Sequence, residues 1–510
     1  MRPHRLRRLT GALVVVMVAG IVLPAAASGA ASTGLSPAQR ATLLGYARDT
    51  WASFVAMTDP ATGLPADSLD ADGTASVQTS TTNIGAYMWS AVVAERLGII
   101  THAEVVARLG TTLHTLETME RDQTIGADGR PSGQYFNWYD HTTGAVLKIW
   151  PPTGAPVDLF LSSVDNGWLA TGIRVVANSV PELALRAATL FNSMDFGFFY
   201  RPDANQIAFF YRPGDAHFQC CYNTIVSESR IASYIGIAQG MIPAKEYFGA
   251  VRSFPASCDW SWTETNPVGP TRTYLGVSVF EGAYNYDGFK IVPSWGGSMF
   301  EALMPALFVP EEQWGPRSWA INHPLTVTAQ IHHGMVEAGY GYWGFSPSNT
   351  PEGGYAAYGV DGIGMNTDGY PSNEDNTYVD HGFAGCPGRP AKADPPPSAY
   401  TNGVVTPHAS FLALRWAPND VLANLAKLKS DFAIYDKWGF HDSVNVQTGT
   451  VSKAFLSLDQ GIVMGAIGNA LAGDMLRNAF ATKDVRKALQ PVIGLETFNA
   501  GPRDAADVLQ

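Results

Sequence analysis

Residues 36–55 read SPAQRATLLGYARDTWASFV. Ser36 supplies a side-chain oxygen that can cap a helix, and Pro37 fills the first helical position, where a missing N–H costs nothing. Beyond them Leu43, Ala47, Trp51, Phe54 and Val55 recur at the spacing of one helix face. The same pattern repeats downstream. A helix is expected from about Thr82 to Leu97, stopped by Gly98, and another opens at Thr101 with Glu104 completing a capping box. Further helices are expected over about 164–178, 182–191, 224–239, 244–253, 298–308, 325–338, 407–416, 419–431 and 458–471, with a short tail helix near 484–489. Strand signals are few: Phe198–Tyr200 and Ile207–Tyr211 flank Pro202-Asp203-Ala204-Asn205 as one hairpin. About a dozen ordinary helices fit helix pairs closing into one all-α ring, an α/α toroid, with two helical domains as the alternative. Residues 359–402, with Pro395-Pro396-Pro397, read as an insertion near the mouth of that ring, because Pro407–Leu471 is thin for a domain of its own.

The N-terminal end has a different character. Arg2, Arg5, Arg7 and Arg8 precede a short apolar run, Leu13 to Leu23, and then Pro24-Ala25-Ala26-Ala27-Ser28. This is the pattern of a signal peptide over residues 1–30, followed by one domain over 31–510. The mature protein is expected outside the cell, free of the membrane and monomeric. Its 46% apolar and 15% charged residues allow a large core, and a net charge of −12 argues against nucleic acid as a partner. Export permits disulfides among Cys220, Cys221, Cys258 and Cys386. Adjacent cysteines rarely bond, so one of the first two with Cys258 is the favoured pair.

Signatures of common enzymes are missing: there is no G-x-S-x-G, H-E-x-x-H, P-loop or dinucleotide fingerprint. His332 and His333 point about 100° apart on a helix and do not converge on a metal. The 361–376 loop holds Asp361, Asp368, Glu374 and Asp375 but lacks EF-hand spacing, so it reads as a polar loop, not a calcium site. No metal or cofactor is expected. What remains is a series of carboxylates beside aromatic and amide residues: Tyr135–Asp140, Ser162–Trp168, Tyr222–Arg230, Pro293–Glu301, Tyr342–Phe345, Gly439–Asp442 and Leu458–Gly461.

In this order, with Thr82-Asn83-Ile84-Gly85 before them, these clusters resemble the glucoamylase-like domain family. That family includes the endo-β-1,2-glucanases of glycoside hydrolase family 144 and the central domain of cyclic β-1,2-glucan synthases. The resemblance runs from about Ser36 to Leu471 and implies an (α/α)6 toroid with a glucan as substrate. The chemistry it implies is two-carboxylate hydrolysis, in which one acid protonates the departing oxygen and the other activates water or attacks the anomeric carbon.

Glu228 is the first candidate for the acid. Glu301 is the second, because the apolar residues around it would raise its pKa. Asp165 and Asp442 are the candidate partners, Asp442 resembling a position where relatives carry an acidic base. Asn83, Asp140, Asn166, Arg230, Asp459 and Gln460 are assigned to sugar hydroxyls, and Trp138, Trp168, Trp295 and Trp343 to stacking on sugar rings. Two positions depart from the family. Endo-glucanases tend to carry a glutamate where this chain has Thr224, and synthase domains carry a Ser-Glu pair where this chain has Ser346-Pro347. The missing acid favours inversion. A polysaccharide lyase on the same toroid, or a carbohydrate-binding protein without turnover, are the rival readings.

Overall fold

In the computed structural model, which describes residues 34–254, 267–365 and 396–502, α1 (Pro37–Met57) starts at Ser36. Ser36 Oγ accepts the Gln39 N–H at 3.3 Å, and Gln39 Oε1 accepts the Ser36 N–H at 2.8 Å. The helix buries Leu43, Tyr46, Ala47, Trp51 and Phe54, whereas Val55, one residue past Phe54, turns off that face and is exposed. The next helices are α2 (Thr81–Arg96), α3 (His102–Thr118), α4 (Ser163–Ser179), α5 (Ala184–Asn192) and α6 (Arg230–Ala238). They are followed by α7 (Met299–Leu303), α8 (Glu311–Trp314), α9 (Trp319–His332), α10 (Pro407–Leu412) and α11 (Pro418–Asp431). Last come α12 (Ser457–Leu471), α13 (Met475–Phe480) and α14 (Lys483–Ile493).

Several expected helices are shorter than their sequence pattern. The 224–239 segment is helical only from Arg230, because the Ser227 and Ser229 hydroxyls bond locally and the Glu228 N–H donates to Glu301 instead. The 244–253 segment is a 3-10 turn, Ala244–Phe248. The 298–308 helix ends before Pro305, which has no N–H to continue it. In contrast, α9 begins at Trp319, ahead of the expected start, and carries Pro324 inside. The short helices α8 and α13 were not expected. Strands are brief pairs that lead into or brace helices, including the expected hairpin Tyr200–Arg201 with Gln206–Ile207. Gln78–Ser80 pairs with Trp138–Asp140 ahead of α2, and Ser68–Asp70 pairs with Ala454–Leu456 ahead of α12.

The core lies between helices. α2 packs between α4 and α12, α1 against α12, α4 also against α5, α6 and α13, and α10 against α7 and α12. α2 and α4 approach through glycine: a Cβ on Gly85 would lie 2.4 Å from the Trp168 carbonyl oxygen, and one on Gly172 2.7 Å from that of Gly85. Only a residue without Cβ allows that crossing.

Residues 32–510 form one compact unit. The start of the 359–402 segment is tied down by the Val360 N–H, which donates to Gly297 O. Residues 366–395, including Asp368, Glu374 and Asp375 of the polar loop, lie outside the described residues, as do residues 1–33, which include the expected signal peptide over 1–30. Among the described residues no helix is long and apolar enough to cross a membrane. Cys220 is bonded to Cys221, against the expected bridge to Cys258, which also lies outside the described residues.

Candidate active site

The candidate residues gather where helices begin. Ser80, Ser162 and Ser298 cap α2, α4 and α7, and each hydroxyl accepts the N–H of the residue three positions on: Asn83, Asp165 and Glu301. In a capping box that third side chain would fold back onto the cap. Here each reaches across to another element. Asn83 donates to Asp67 at 2.7 Å, Asp165 accepts from the Thr82 hydroxyl at 2.5 Å, and Glu301 accepts the Glu228 N–H at 2.7 Å. Asp459 occupies the first turn of α12 and His408 that of α10, while Glu228 precedes α6. The positive ends of these helices partly offset the cost of collecting carboxylates.

Glu228 and Glu301 form the centre. The Trp168 indole N–H donates to Glu228 Oε2 at 2.5 Å. Burial, then the charges of Glu301 and Asp165, push the Glu228 carboxyl well above the usual range despite that bond. Burial also raises Glu301, to about 7, with the Glu228 N–H opposing it. Glu228 therefore holds a proton near neutrality, as a general acid must. Arg230 does not pair with Glu228. It is buried, bonded to Glu311 at 2.6 and 3.0 Å and to the carbonyls of Ser227, Glu301 and Ala302. Tyr234 and His323 also reach Glu311, at 2.6 and 3.0 Å. Burial opposes ionisation of Glu311, but Arg230 and His323 outweigh it and hold the carboxyl at about 2. Arg230 thus fixes the backbone under both glutamates, which corrects its assignment to a sugar.

There is a second carboxylate pair. Asp442 and Asp459 are buried, and the Asn349 N–H donates to Asp442 Oδ2 at 2.5 Å. Burial and the Asp442 charge push Asp459 well up, so it keeps a proton and donates it to Asp442. Asp442 is raised by burial to about 6, with Asp459 and the Asn349 N–H opposing the rise. His408 completes a set of three possible ligand atoms within 4.8 Å of one another. Its Nδ1 is 2.6 Å from the Thr406 hydroxyl and 3.2 Å from Asp459 Oδ2, and burial keeps the ring neutral.

One tyrosine, Tyr355, lies within reach of both pairs. Tyr222 feels the charges of Glu228, Asp165 and Glu301, and Tyr355 those of Asp459, Glu228, Asp442 and Glu301. Asp67 is held by Asn83 and feels the Asp165 charge. Sequence reasoning did not pick out Asp67 or Tyr355, which lie in loops without a motif.

Other assignments change in the structure. Trp168 and Trp343 are buried and offer no stacking face; Trp168 packs on Trp89 and Phe308. Trp138 and Trp295 are half-buried and keep one. Asn166 is fully buried, spent on the Tyr135 backbone and Ser162 O. Asp140 closes a turn onto Thr142. Gln460 is buried and donates to Phe440 O at 3.1 Å. At the two departures, Ser346 Oγ accepts the Phe300 N–H at 3.3 Å and Thr224 bridges to Val251, so both positions are structural.

Known proteins share this architecture. Residues 265–484 match the family model described as "Putative glucoamylase", and residues 45–195 match a family of unknown function, DUF3131. The cyclic β-(1,2)-glucan synthase NdvB of Rhizobium meliloti (strain 1021) is 27% identical over 314 residues. That match covers 60% of this chain but 9% of the relative, so the chain spans less than a tenth of its length. Among solved structures, the endo-β-1,2-glucanase of Chitinophaga pinensis, in complex with sophorotriose and glucose, superposes with TM-score 0.61 at 17% identity over 90% of this chain and 98% of that one. The endo-β-1,2-glucanase of Talaromyces funiculosus, in complex with sophorose, gives 0.60 at 11% over 91% and 90%. In its sequence over residues 265–484 and in its largely helical fold, this chain resembles the glucoamylase-like proteins, among them the endo-β-1,2-glucanases.

Proposed function

We propose that this chain is a secreted, monomeric glycoside hydrolase that cuts β-1,2-glucan without a metal or cofactor. Its helices are read as an (α/α)6 toroid, with a signal peptide removed over residues 1–30. The observation that carries the reading is the junction of Glu228 with Glu301, two carboxyls raised by burial in one cleft with Asp442. Six helices support the toroid: α2, α4, α6, α7, α10 and α12 all begin at or beside the residues of this cleft. The linkage rests on the relatives, since both glucanases were solved with β-1,2-linked sugars and NdvB is named for that polymer.

Glu228 gives its proton to the departing glycosidic oxygen as the bond to the anomeric carbon breaks. A water molecule adds to that carbon and passes its proton to Asp442, inverting the anomeric centre. Trp168 and Glu301 hold Glu228 in place, and Asp459 holds Asp442. A screen of β-1,2-, β-1,3-, β-1,4-, β-1,6- and α-linked glucans, with product sizing, tests the reading. Reducing ends should appear with β-1,2-glucan. Ultraviolet-absorbing unsaturated products would show a lyase, and binding without reducing ends a protein that has lost turnover.

A further inference from the structure

The chain makes a tight hairpin between Ser348-Asn349 and Tyr355-Ala356, with Asn349 opposite Tyr355. Thr350 and Gly354 close it, the Thr350 N–H donating to Gly354 O at 2.9 Å. Its root is fastened to the segment that carries Asp442. The Asn349 N–H donates to Asp442 at 2.5 Å, the Ser452 hydroxyl to Asn349 Oδ1 at 2.9 Å, and the Ser443 hydroxyl to Asn349 O at 2.5 Å. Opposite that root, Tyr355 has 63% of its surface open. Protein nevertheless crowds around it, so that burial first, and then the charges of Asp459, Glu228, Asp442 and Glu301 from four separate parts of the chain, push its hydroxyl well above the usual range. A side chain open to water yet within the fields of four carboxylates stands inside a cleft, not on a convex surface. An aromatic ring held free there, with a hydroxyl at its tip, offers a sugar both a stacking face and a hydrogen bond.

Resting on the hydrolase reading, we propose that Tyr355 is a substrate-contacting residue at the point of cleavage, its ring packed on a glucosyl unit and its hydroxyl donating to a sugar hydroxyl. The hairpin then carries this contact straight to Asp442, so that binding of the sugar and placement of the base are one event. The four surrounding carboxylates also define the class of substrate. The members that ionise, Asp442 above about pH 6 and Glu301 above about pH 7, repel an anionic polymer such as a polyuronate and admit a neutral one.

The test compares Tyr355→Phe and Tyr355→Ala with wild type and Glu228→Gln. Turnover is measured on β-1,2-glucan, and binding of a sophoro-oligosaccharide by calorimetry. Tyr355→Phe should lower kcat/KM by about tenfold, the worth of one hydrogen bond, and Tyr355→Ala by about a hundredfold as the ring contact is lost too. Tm should not move, because the side chain is open to water; a structural role would move it. Wild-type turnover and binding in Tyr355→Ala, beside an inactive Glu228→Gln, would overturn the contact and leave the hydrolase reading standing. If wild type binds the oligosaccharide without cleaving it and Tyr355→Ala does not bind, the contact stands and the hydrolase reading falls. Neither binding nor turnover by wild type would overturn both.

Discussion

The Glu228 backbone N–H donates to the Glu301 carboxylate at 2.7 Å, so the main chain of one acid holds the side chain of the other. This arrangement separates their roles. Glu301 is tied to a donor that favours its ionised form, whereas burial and neighbouring negative charge leave the Glu228 carboxyl protonated. A capping serine at each of three helix starts frees the next polar side chain to make such cross-links.

Glu228→Gln keeps the shape of the side chain and its contact with Trp168 but cannot donate an acidic proton. Its kcat should fall by about 10²–10⁴-fold, with Tm close to wild type. Glu301→Gln retains an oxygen for the Glu228 N–H and should lose less. Turnover near wild type in both variants, measured as reducing ends released, would refute the assignment.

Activity should rise with pH through about 6, as Asp442 loses its proton, and fall at higher pH as Glu228 loses its own. Asp459 donates to Asp442 and so keeps Asp442 the more acidic of the pair. Asp459→Ala removes that donor and should move the acid limb of kcat/KM to higher pH. Asp459→Asn, whose amide can still donate, should leave the limb near its wild-type position. A limb that shifts equally in both variants would contradict the shared proton.

Glu246 is buried beside Ser233, whose hydroxyl donates at 3.0 Å, and burial raises its carboxyl to about 7. Its folded pKa lies above the unfolded one, so the stability it contributes is present in acid and lost as pH rises through about 7. Glu246→Gln should therefore raise Tm at pH 8 relative to pH 5, measured by thermal unfolding. An unchanged pH dependence of Tm would show that Glu246 does not titrate in this way.

Arg230 and Glu311 form a buried ion pair beneath the two glutamates. Removing one partner leaves a charge without compensation, so Glu311→Ala should cost about 3–5 kcal/mol, read from denaturant unfolding. With Glu311 gone, Arg230 also becomes an uncompensated cation close to Glu228, whose carboxyl should drop; in any surviving folded protein, the alkaline limb of activity should move to lower pH. A variant as stable as wild type would show that the network carries little of the fold.

The helix starts were legible because the cap, the proline and the apolar spacing are local, as at Ser36-Pro37 and Thr101. Glu301 was legible from the apolar residues around it, and burial does raise its carboxyl. The role of a tryptophan was not. Trp138 and Trp168 look alike in sequence, and only packing decides that the first keeps a face at the surface while the second lies between Trp89 and Phe308. Asp67 and Tyr355 escaped because their loops join the cleft through tertiary contacts with α2 and the Asp442 segment. Glu228 was placed on a helix because the apolar pattern around it is helical, and the hydrogen bond its N–H donates to Glu301, far along the chain, overrides it.

The packing of α1 against α12 also governs how the chain can be assembled. Trp51 and Phe54 meet Tyr87 of α2, but Tyr46 packs on Phe411, Tyr435 and Phe440, and α1 also packs on Ser457–Leu471. The part of the first helix around Tyr46 must wait, uncovered, for nearly the whole chain to follow. Closing so long a loop is slow, and an uncovered face is a site for aggregation in the interval. The two stretches that match family models, residues 45–195 and 265–484, therefore cannot be expected to mature one after the other on the ribosome. The protein reaches its native state late and as a whole, and its yield in any host depends on what shields α1 until then.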